Sequence, residues 1–212
     1  MFGGTFDPVH YGHLRSAVEV RDALQLQTVK LVPSYLPPHR EAPGSTAAQR
    51  LDMVRIAARD AAFLEVDDRE IRRGGKSFMI DTLRSIRSDV GDAEPLVLVL
   101  GDDAFALLET WHEWRSLLEV AHIAVLSRPG SPVDENLTTE LANLVSERLV
   151  ERPLCLRSKP GGQICILRLT QLDISSTKIR EMLGKGESVA YLMPNEVLTY
   201  ITGHGLYGSA ST

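Results

Sequence analysis

The sequence predicts an α/β fold, in which a doubly wound parallel sheet carries helices on both faces and a small helical region closes the chain. Apolar runs of strand length alternate with longer amphipathic runs of helical period. Residues 96–100, LVLVL, are apolar on both faces, as a central parallel strand requires. The length of 212 residues suits one such domain. We therefore predict a Rossmann-like sheet in a single domain over residues 1–212, with residues from about 171 to 212 as its C-terminal helical portion.

The first elements are a strand, a helix and a strand. Only two residues precede the first glycine pair, so the strand is short, and we expect strand residues before Met1 to be absent from this numbering. Residues 10–24 form a helix with an apolar stripe of Leu14, Ala17, Val18 and Leu24. The β-rich run 28–32 ends at Pro33. Residues 34–45 are rich in proline and turn formers, which predicts a long loop at the carboxyl end of a strand, where open sheets bind ligands.

The middle of the chain continues the alternation. A helix is predicted over 47–61, a short strand over 63–66 and a second helix that opens at Lys76 and Ser77. The apolar stripe of the second helix is Met79, Leu83, Ile86 and Val90. The strand at 96–100 leads directly into Gly101-Asp102-Asp103, so acidic side chains lie at its carboxyl end. The next buried strand covers 123–126.

The last third of the chain is mostly helical. We predict a helix over 137–150, a loop rich in proline and glycine over 153–162 and a strand over 163–169. A helix over 175–183 follows, with Ile179, Met182 and Leu183 on its inner face. A short helix near Val189 and a final helix over 195–201 close the chain.

Composition excludes several classes of protein. Hydrophobic residues make up 43% and charged residues 24%, as in ordinary globular domains. The net charge of -5 disfavours generic binding to nucleic acid or to anionic membranes. No apolar run approaches the roughly 20 residues of a membrane span, and the start lacks the features of a signal peptide. Two lone cysteines, Cys155 and Cys165, indicate reduced thiols and a cytoplasmic location. The oligomeric state is open, and a homo-oligomer is one alternative.

The opening motif GGTFDPVHYGH carries the first chemistry. Gly3 and Gly4 allow a tight turn and a close approach of the backbone to a ligand. His10 and His13 are three residues apart, so both project from one face near a helix start, where unpaired N–H groups favour an anion. A triphosphate would meet these N–H groups and two imidazoles. The alternatives are ordinary capping or core histidines, and a zinc pair, which lacks an evident third and fourth ligand.

A second motif, ISSTKIR at residues 174–180, opens another helix. Asp173, Ser175 or Ser176 can cap this helix, so hydroxyl and N–H groups converge at its start. Arg180 lies one turn further on and can reach the same anion. The alternative is a well-capped amphipathic helix without a ligand. Because both motifs suit a polyphosphate, we predict that they bind one triphosphate from two sides.

The two motifs together resemble the nucleotidyltransferase superfamily that is marked by His-x-Gly-His and a late Ile-Ser-Ser-Thr-x-x-Arg. Within it, the chain is similar over essentially its whole length to the bacterial nicotinate-nucleotide adenylyltransferases. The matching segments are GGTFDPVHYGH, PPHR at 37–40, TWHEW at 110–114, RPG at 128–130, ISSTKIR and LTYITGHGLY at the end. The resemblance implies transfer of AMP from ATP to nicotinate mononucleotide by direct in-line attack, with Mg²⁺ accompanying ATP. The implied partners are these small molecules, without nucleic acid or membrane.

The resemblance also implies roles for single residues. Catalysis would rest on His10, His13 and Arg180. ATP would be bound by those three and by Gly3, Gly4, Thr5, Phe6, Arg128, Ile174, Ser175, Ser176 and Thr177. The acceptor would be bound by His39, Arg40, Thr82, Asp103 and Trp111. Trp111 would stack on the pyridine ring, Asp103 would contact ribose hydroxyls, and Trp114 is expected to be plain core.

Two departures from the family pattern concern the acceptor. Ser34-Tyr35 stands where the family often has Asn, and Ser77-Phe78-Met79 stands where it often has Ser-Tyr-Thr. The second change removes a hydroxyl near the expected nicotinate site, so the preference for the acid over the amide follows less directly than the reaction class. The alternatives are a relative that uses nicotinamide mononucleotide or phosphopantetheine, and a nucleotide sensor without turnover.

Overall fold

The computed structural model describes residues 1–37, 43–127, 137–170 and 172–209. Its strands are β1 (Phe2–Gly4), β2 (Val29–Pro33), β3 (Leu64–Val66), β4 (Val97–Gly101), β5 (His122–Ser127) and β6 (Ile164–Arg168). They form a six-stranded sheet in the order β3-β2-β1-β4-β5-β6. This is the strand order of a doubly wound α/β fold. The predicted fold class is confirmed.

The helices alternate with the strands along the chain. Those of the described residues are α1 (Tyr11–Leu24), α2 (Ala47–Ala58), α3 (Arg69–Arg73), α4 (Met79–Val90), α5 (Asp102–Ala106), α6 (Leu117–Val120), α7 (Thr139–Arg148), α8 (Ser176–Gly184) and α9 (Asn195–Gly203). Short 3-10 turns occupy Leu108–Thr110, Trp114–Ser116, Pro153–Ser158 and Leu206–Gly208. No helix in the described ranges is long and apolar enough to cross a membrane.

The residues divide into two compact units, and the first contains Met1–Gly3, Glu19–Gln27 and Phe78–Gln171. Strand β5 pairs in parallel with both β4 and β6, with Ala124 opposite Val99 on one side and Cys165 on the other. These three residues belong to one buried apolar cluster, together with Val20, Leu24, Val97, Leu126, Leu156, Leu167 and Leu169. The cluster takes alternate residues of these strands, so it forms the core on one face of the sheet.

The second unit contains Gly4–Val18, Thr28–Ser77 and Leu172–Thr212. Strands β2 and β3 pair in parallel from Val29 opposite Leu64 to Leu31 opposite Val66. Helix α2 packs against both strands and against α9. It begins at a capping box, in which Thr46 and Gln49 satisfy each other's backbone N–H groups. Both opening-motif histidines and all of ISSTKIR belong to this unit. The single domain that the sequence predicts over 1–212 stays a prediction.

Several predicted elements were wrong in detail. The short helix expected near Val189 is a series of turns, since Tyr191 takes a left-handed φ of 65° that a helix cannot continue through. Helix α4 starts at Met79 rather than at Lys76, because the Ser77 hydroxyl accepts hydrogen bonds from the backbone of Tyr35 and Leu36. Val90 is exposed, and the inner positions of α4 are Ile80, Thr82, Leu83 and Ile86.

Candidate active site

The loop between β1 and α1 is built around the Phe6 ring. Phe6 is buried and takes a positive φ of 51°. A Cβ on Gly4 would lie 3.0–3.2 Å from the ring, so the glycine leaves the space that Phe6 fills. The ring meets His13 edge-on, with centroids 5.0 Å apart and planes at 72°. Gly4 therefore allows the Phe6 ring to pack against the second histidine of the motif.

His10 and His13 form a stacked pair at the start of α1. Their ring centroids lie 3.7 Å apart and their planes are inclined by 25°. The backbone N–H of His10 donates to His13 Nδ1 at 3.3 Å. A ring nitrogen that accepts a hydrogen bond carries no proton, so the neutral ring of His13 carries its proton on Nε2. This tautomer makes His13 Nε2 a hydrogen-bond donor, as a phosphate oxygen requires.

His10 is the more buried member of the pair. Burial lowers its pKa from 6.5 to about 4, so the ring is neutral at pH 7. Its Nδ1 is buried and has no hydrogen-bond partner in the described residues. A Cβ on Gly12 would lie 2.9 Å from this nitrogen and 3.4 Å from the carbonyl oxygen of Ile174. Only glycine therefore fits at position 12, between the His10 ring and the ISSTKIR segment.

The start of α8 lies against the opening loop. Ser175 caps the helix by accepting from the Lys178 N–H. The Ser176 hydroxyl donates to the carbonyl oxygen of Pro8 at 2.9 Å. Arg180 donates from one terminal nitrogen to the carbonyl oxygen of Asp7 at 2.8 Å, and its other nitrogen lies 3.4 Å from Thr177 Oγ1. The starts of α1 and α8 therefore converge on one region, and the start of a helix favours a bound anion.

A shallow recess adjoins the start of α8. It is lined by apolar and polar side chains, which are Asp173, Ile174, Ser175, Lys178, Ile179, Met182 and Leu192. The backbone N–H of Tyr11, the first residue of α1, donates to the carbonyl oxygen of Leu192 at 2.9 Å, which ties this segment to the opening motif. Such a recess beside helix starts suits the flat, largely apolar face of a nucleobase.

Asp7 is a site residue that the sequence pattern did not single out. It is 4% exposed. Its Oδ1 accepts from the hydroxyls of Ser45 at 2.5 Å and Tyr207 at 2.7 Å, and its Oδ2 accepts from the Gly44 N–H at 2.8 Å. The Arg180 guanidinium lies 3.8 Å from Oδ2. Sequence patterns assign Asp7 no role, because its partners at positions 44, 45 and 207 are distant in the sequence.

Arg50 of α2 is a second residue that sequence reasoning missed. It is 1% exposed and donates to the carbonyl oxygens of Thr5 at 2.8 Å and Tyr35 at 3.0 Å. Burial lowers its pKa below the ordinary 12.5, and Asp7 is the strongest of the groups that offset this. Its guanidinium joins the residues that follow β1 to those that follow β2. A helix position between apolar neighbours gave no hint of this role.

Three of the residues predicted to bind the acceptor, Thr82, Asp103 and Trp111, belong to the first unit. In the first unit, Thr82 is fully buried and its hydroxyl lies 3.4 Å from the Phe78 carbonyl oxygen. Asp103 is exposed in the first turn of α5, and Trp111 is half-buried after the 3-10 turn Leu108–Thr110. Trp114 is buried, as expected for core. His39, Arg40 and Arg128 lie outside the described residues.

Met79 occupies space that the family's threonine would leave more open. A Cβ on Gly3 would lie 2.9 Å from Met79 Cε, so the methionine methyl group packs against the first glycine of the motif. This contact lies within the first unit. Met79 places an apolar group where the family often has the hydroxyl of a threonine.

Comparison with known proteins decides the family. Residues 1–182 match the model of the cytidylyltransferase-like family. The chain is 48% identical over 212 residues to a protein of Pseudomonas syringae pv. tomato named probable nicotinate-nucleotide adenylyltransferase, covering all of this chain and 94% of that one. The chain belongs to the nicotinate-nucleotide adenylyltransferase family. A member of this family from Methylococcus capsulatus is 48% identical over 208 residues, with 98% of each chain covered.

Solved structures of adenylyltransferases share the fold. The nicotinic acid mononucleotide adenylyltransferase of Plasmodium falciparum, complexed with NaAD, superposes with a TM-score of 0.73 at 15% identity, covering all of this chain and 97% of that one. A putative nicotinate-nucleotide adenylyltransferase from Vibrio parahaemolyticus gives a TM-score of 0.61 at 16% identity, with 99% and 94% covered. At these identities the likeness concerns the fold alone.

Proposed function

We propose that this protein transfers AMP from ATP to nicotinate mononucleotide, giving nicotinate adenine dinucleotide and pyrophosphate in NAD biosynthesis. The observation that carries the proposal is the stacked His10–His13 pair beside Arg180 at the converging starts of α1 and α8. Relatives that match over the full length and are named for this reaction support it. We place the reaction in the cytoplasm, where ATP and pyridine nucleotides are made and used.

The reaction is a direct displacement. An oxygen of the mononucleotide phosphate attacks the α-phosphorus of ATP. The bond from that phosphorus to the oxygen bridging to the β-phosphate breaks, and pyrophosphate leaves with the bond's electron pair. No covalent enzyme intermediate forms, so the protein has to align two phosphates and stabilise charge on the leaving group.

His10, His13 and Arg180 supply the donors for this stabilisation. His13 offers a proton on Nε2 because its Nδ1 already accepts from the His10 backbone. Arg180 is held by the Asp7 carbonyl, and its side chain is 33% exposed, so it can turn a nitrogen toward the β- and γ-phosphates. The backbone N–H groups at the start of α8, with Ser175, Ser176 and Thr177, bind the same anion. Gly3, Gly4 and Thr5 give the backbone its close approach, and Phe6 supports His13.

Mg²⁺ enters with ATP as part of the co-substrate. No group of three or more His, Cys, Asp or Glu side chains in the described ranges could hold a metal ion. The nearest carboxylate of the donor site, Asp7, already accepts three hydrogen bonds. This donor set fits a cation that is held by the phosphates of ATP and by water, as Mg²⁺ usually is in nucleotide sites.

The acceptor roles rest on the family resemblance. We propose that Trp111 stacks on the pyridine ring, that Asp103 contacts the ribose hydroxyls and that Thr82 lies near the nicotinate group. His39 and Arg40 are proposed to contact the phosphates, and Arg128 to contact ATP. A neutral N–H group aimed at the nicotinate carboxylate would favour the acid over the amide, which presents its own NH₂ group there.

An acceptor assay tests the proposal. The purified chain is incubated with Mg²⁺ and ATP, and with nicotinate mononucleotide, nicotinamide mononucleotide or phosphopantetheine in turn. Pyrophosphate release and the adenylylated acceptor are both measured. We expect the highest kcat/KM with nicotinate mononucleotide. Preference for another acceptor contradicts the substrate assignment, and ATP binding without turnover on any acceptor indicates a sensor. Light scattering of the same sample determines whether the chain forms a homo-oligomer.

A further inference from the structure

Tyr207 lies close to the end of the described chain, yet its side chain reaches the opening motif. Its hydroxyl lies 2.7 Å from Asp7 Oδ1 and 3.0 Å from Ser45 Oγ. All three residues belong to the second unit. The hydroxyl thus joins a C-terminal turn to the loop that begins the phosphate site, across 200 residues of sequence.

The direction of these hydrogen bonds follows from the chemistry of the three groups. An ionised carboxylate only accepts, and each hydroxyl has a single proton. Both hydroxyls donate to Asp7 Oδ1, and the phenol also has Ser45 Oγ within donating distance, while Oδ2 accepts from the Gly44 N–H at 2.8 Å. Burial raises the pKa of Tyr207 above its ordinary value of 10.0, so the phenol keeps its proton and remains a donor.

The backbone of Tyr207 is held in an uncommon conformation. Its φ is 60°, in the left-handed region, and its neighbours Gly205 and Gly208 also have positive φ. A non-glycine residue in this region costs about 1 kcal/mol or more, and such residues persist where the surroundings hold them in place.

Tyr207 and Arg180 also share a packing surface. A Cβ on Gly44 would lie 3.2 Å from the Tyr207 ring and 3.5 Å from Arg180 Cδ. The same glycine donates its N–H to Asp7. The aromatic ring, the stem of the arginine and the carboxylate therefore meet at Gly44, which makes Tyr207 a direct neighbour of the groups that hold Arg180.

The competing arrangement would be a salt bridge between Asp7 and Arg180. The guanidinium donates to the Asp7 carbonyl at 2.8 Å but stays 3.8 Å from Oδ2. At that distance the two charges attract without a short hydrogen bond. Without the Tyr207 hydroxyl, Asp7 Oδ1 loses one of two donors, and the carboxylate becomes a stronger acceptor for Arg180. An arginine drawn onto Asp7 has fewer N–H groups left for a phosphate.

We propose that the Tyr207 hydroxyl is a positioning group that, by occupying Asp7, keeps Arg180 available to the β- and γ-phosphates of ATP. This inference rests on the proposed adenylyl transfer. Tyr207 itself touches no reacting atom. Ser45 donates to the same carboxylate oxygen and has the same role to a lesser degree, because without Ser45 Oγ as a second acceptor the Tyr207 hydroxyl donates to Asp7 alone.

The test measures separate Michaelis constants in the full-length Tyr207→Phe and Ser45→Ala variants. The forward reaction reports KM for ATP and for nicotinate mononucleotide, and the reverse reaction reports KM for pyrophosphate. For Tyr207→Phe we expect KM for ATP and pyrophosphate to rise about tenfold, the scale of one hydrogen bond to a charged group. KM for nicotinate mononucleotide should stay unchanged. Ser45→Ala should shift the same two constants in the same direction by a smaller factor.

Tyr200→Phe is the matched control. The Tyr200 hydroxyl also donates to a carboxylate, that of Asp52, at 3.1 Å, but within the described part of the chain neither residue hydrogen-bonds to Asp7 or Arg180. All three Michaelis constants should remain at the wild-type values in this variant. The same rise in KM for ATP in Tyr200→Phe, an equal change of all three constants in Tyr207→Phe, or no change in Tyr207→Phe and Ser45→Ala would overturn the inference.

Two measurements keep this result separate from the proposed function. Wild-type protein that fails to turn over nicotinate mononucleotide contradicts the proposed function alone. Calorimetric Kd values for ATP in the same variants then still test Tyr207, with an expected loss of about tenfold in Tyr207→Phe. If Tyr207→Phe does not fold, Ser45→Ala decides, since unchanged affinity for ATP and pyrophosphate there refutes the role of Asp7.

Discussion

Gly12 leaves no room for a methyl group beside His10, and Gly12→Ala should therefore lower turnover. The added carbon would lie 2.9 Å from His10 Nδ1 and 3.0 Å from Cε1. Carbon contacts are most favourable at about 3.5–4.0 Å, so the ring would have to retreat by roughly 0.5 Å. His13 stacks on His10 at 3.7 Å, and the Ile174 carbonyl oxygen is 3.4 Å from the new carbon. The ring can move only by displacing His13.

The expected size of the effect follows from these contacts. Overpacking costs about 1–3 kcal/mol of unfolding free energy. Alanine in a helix recovers about 1 kcal/mol relative to glycine, so Gly12→Ala should remain folded. A misplacement near 1 Å can cost about 10²-fold in rate, and the smaller shift here should lower kcat by roughly 10- to 100-fold.

Steady-state kinetics and thermal unfolding of the same samples test this expectation. Gly203→Ala is the matched control, because a Cβ there meets no atom within 4 Å and the glycine also lies in a helix. Its kcat should equal that of the wild type. A Gly12→Ala enzyme with kcat within about twofold of wild type, at unchanged melting temperature, would show that the histidine pair is not held as tightly as the contacts require.

Three further changes probe the histidines and the first unit. His13→Ala should lower kcat by about 10²-fold or more, which is the scale of losing a transition-state donor. The control is His204→Ala, at an exposed position, which should leave kcat unchanged. A near-normal kcat in His13→Ala contradicts the proposed role of His13. Arg87 donates to the carbonyl oxygens of Gly91, Glu94, Val120 and Pro160. Arg87→Ala should therefore lower the free energy of unfolding by about 2–4 kcal/mol, measured by denaturant titration. An unchanged denaturation midpoint would refute this expectation. Burial lowers the pKa of His122 below 6.5, so the unfolded chain binds a proton at this residue more tightly than the folded chain does. The free energy of unfolding should therefore fall as the pH drops below 6.5. His122→Gln should flatten this pH dependence between pH 7 and 5.

The sheet could be predicted because its signals are local. A strand such as β4 is apolar on both faces, and α1 carries a regular stripe, so period and length identify each one without knowledge of its partners. The short helices α3, α5 and α6 could not be found in this way, since four or five residues are too few for a stripe. The turns around Tyr191 depend on one left-handed residue that no pattern marks.

The donor site could be predicted in part for the same reason. His10, His13 and the ISSTKIR residues lie in two short motifs, and each motif is a helix start with its own anion-binding chemistry. Asp7, Arg50 and Tyr207 act through distant partners. Asp7 and Ser45 are 38 residues apart, Arg50 and Thr5 are 45 apart, and Tyr207 and Asp7 are 200 apart. Such contacts are created by the fold, and a single sequence carries no local trace of them.

The stacked imidazoles bear on how the bound nucleotide responds to salt. His10 is neutral because burial lowers its pKa to about 4, and His13 accepts a hydrogen bond at Nδ1. The His10 ring therefore presents an oriented dipole rather than a positive charge. Added salt weakens attraction between charges but has little effect on short, shielded dipole contacts. The dependence of ATP affinity on ionic strength would then report mainly on Arg180 and the other cations, and the histidines would hold the polyphosphate almost equally well in dilute and in concentrated salt.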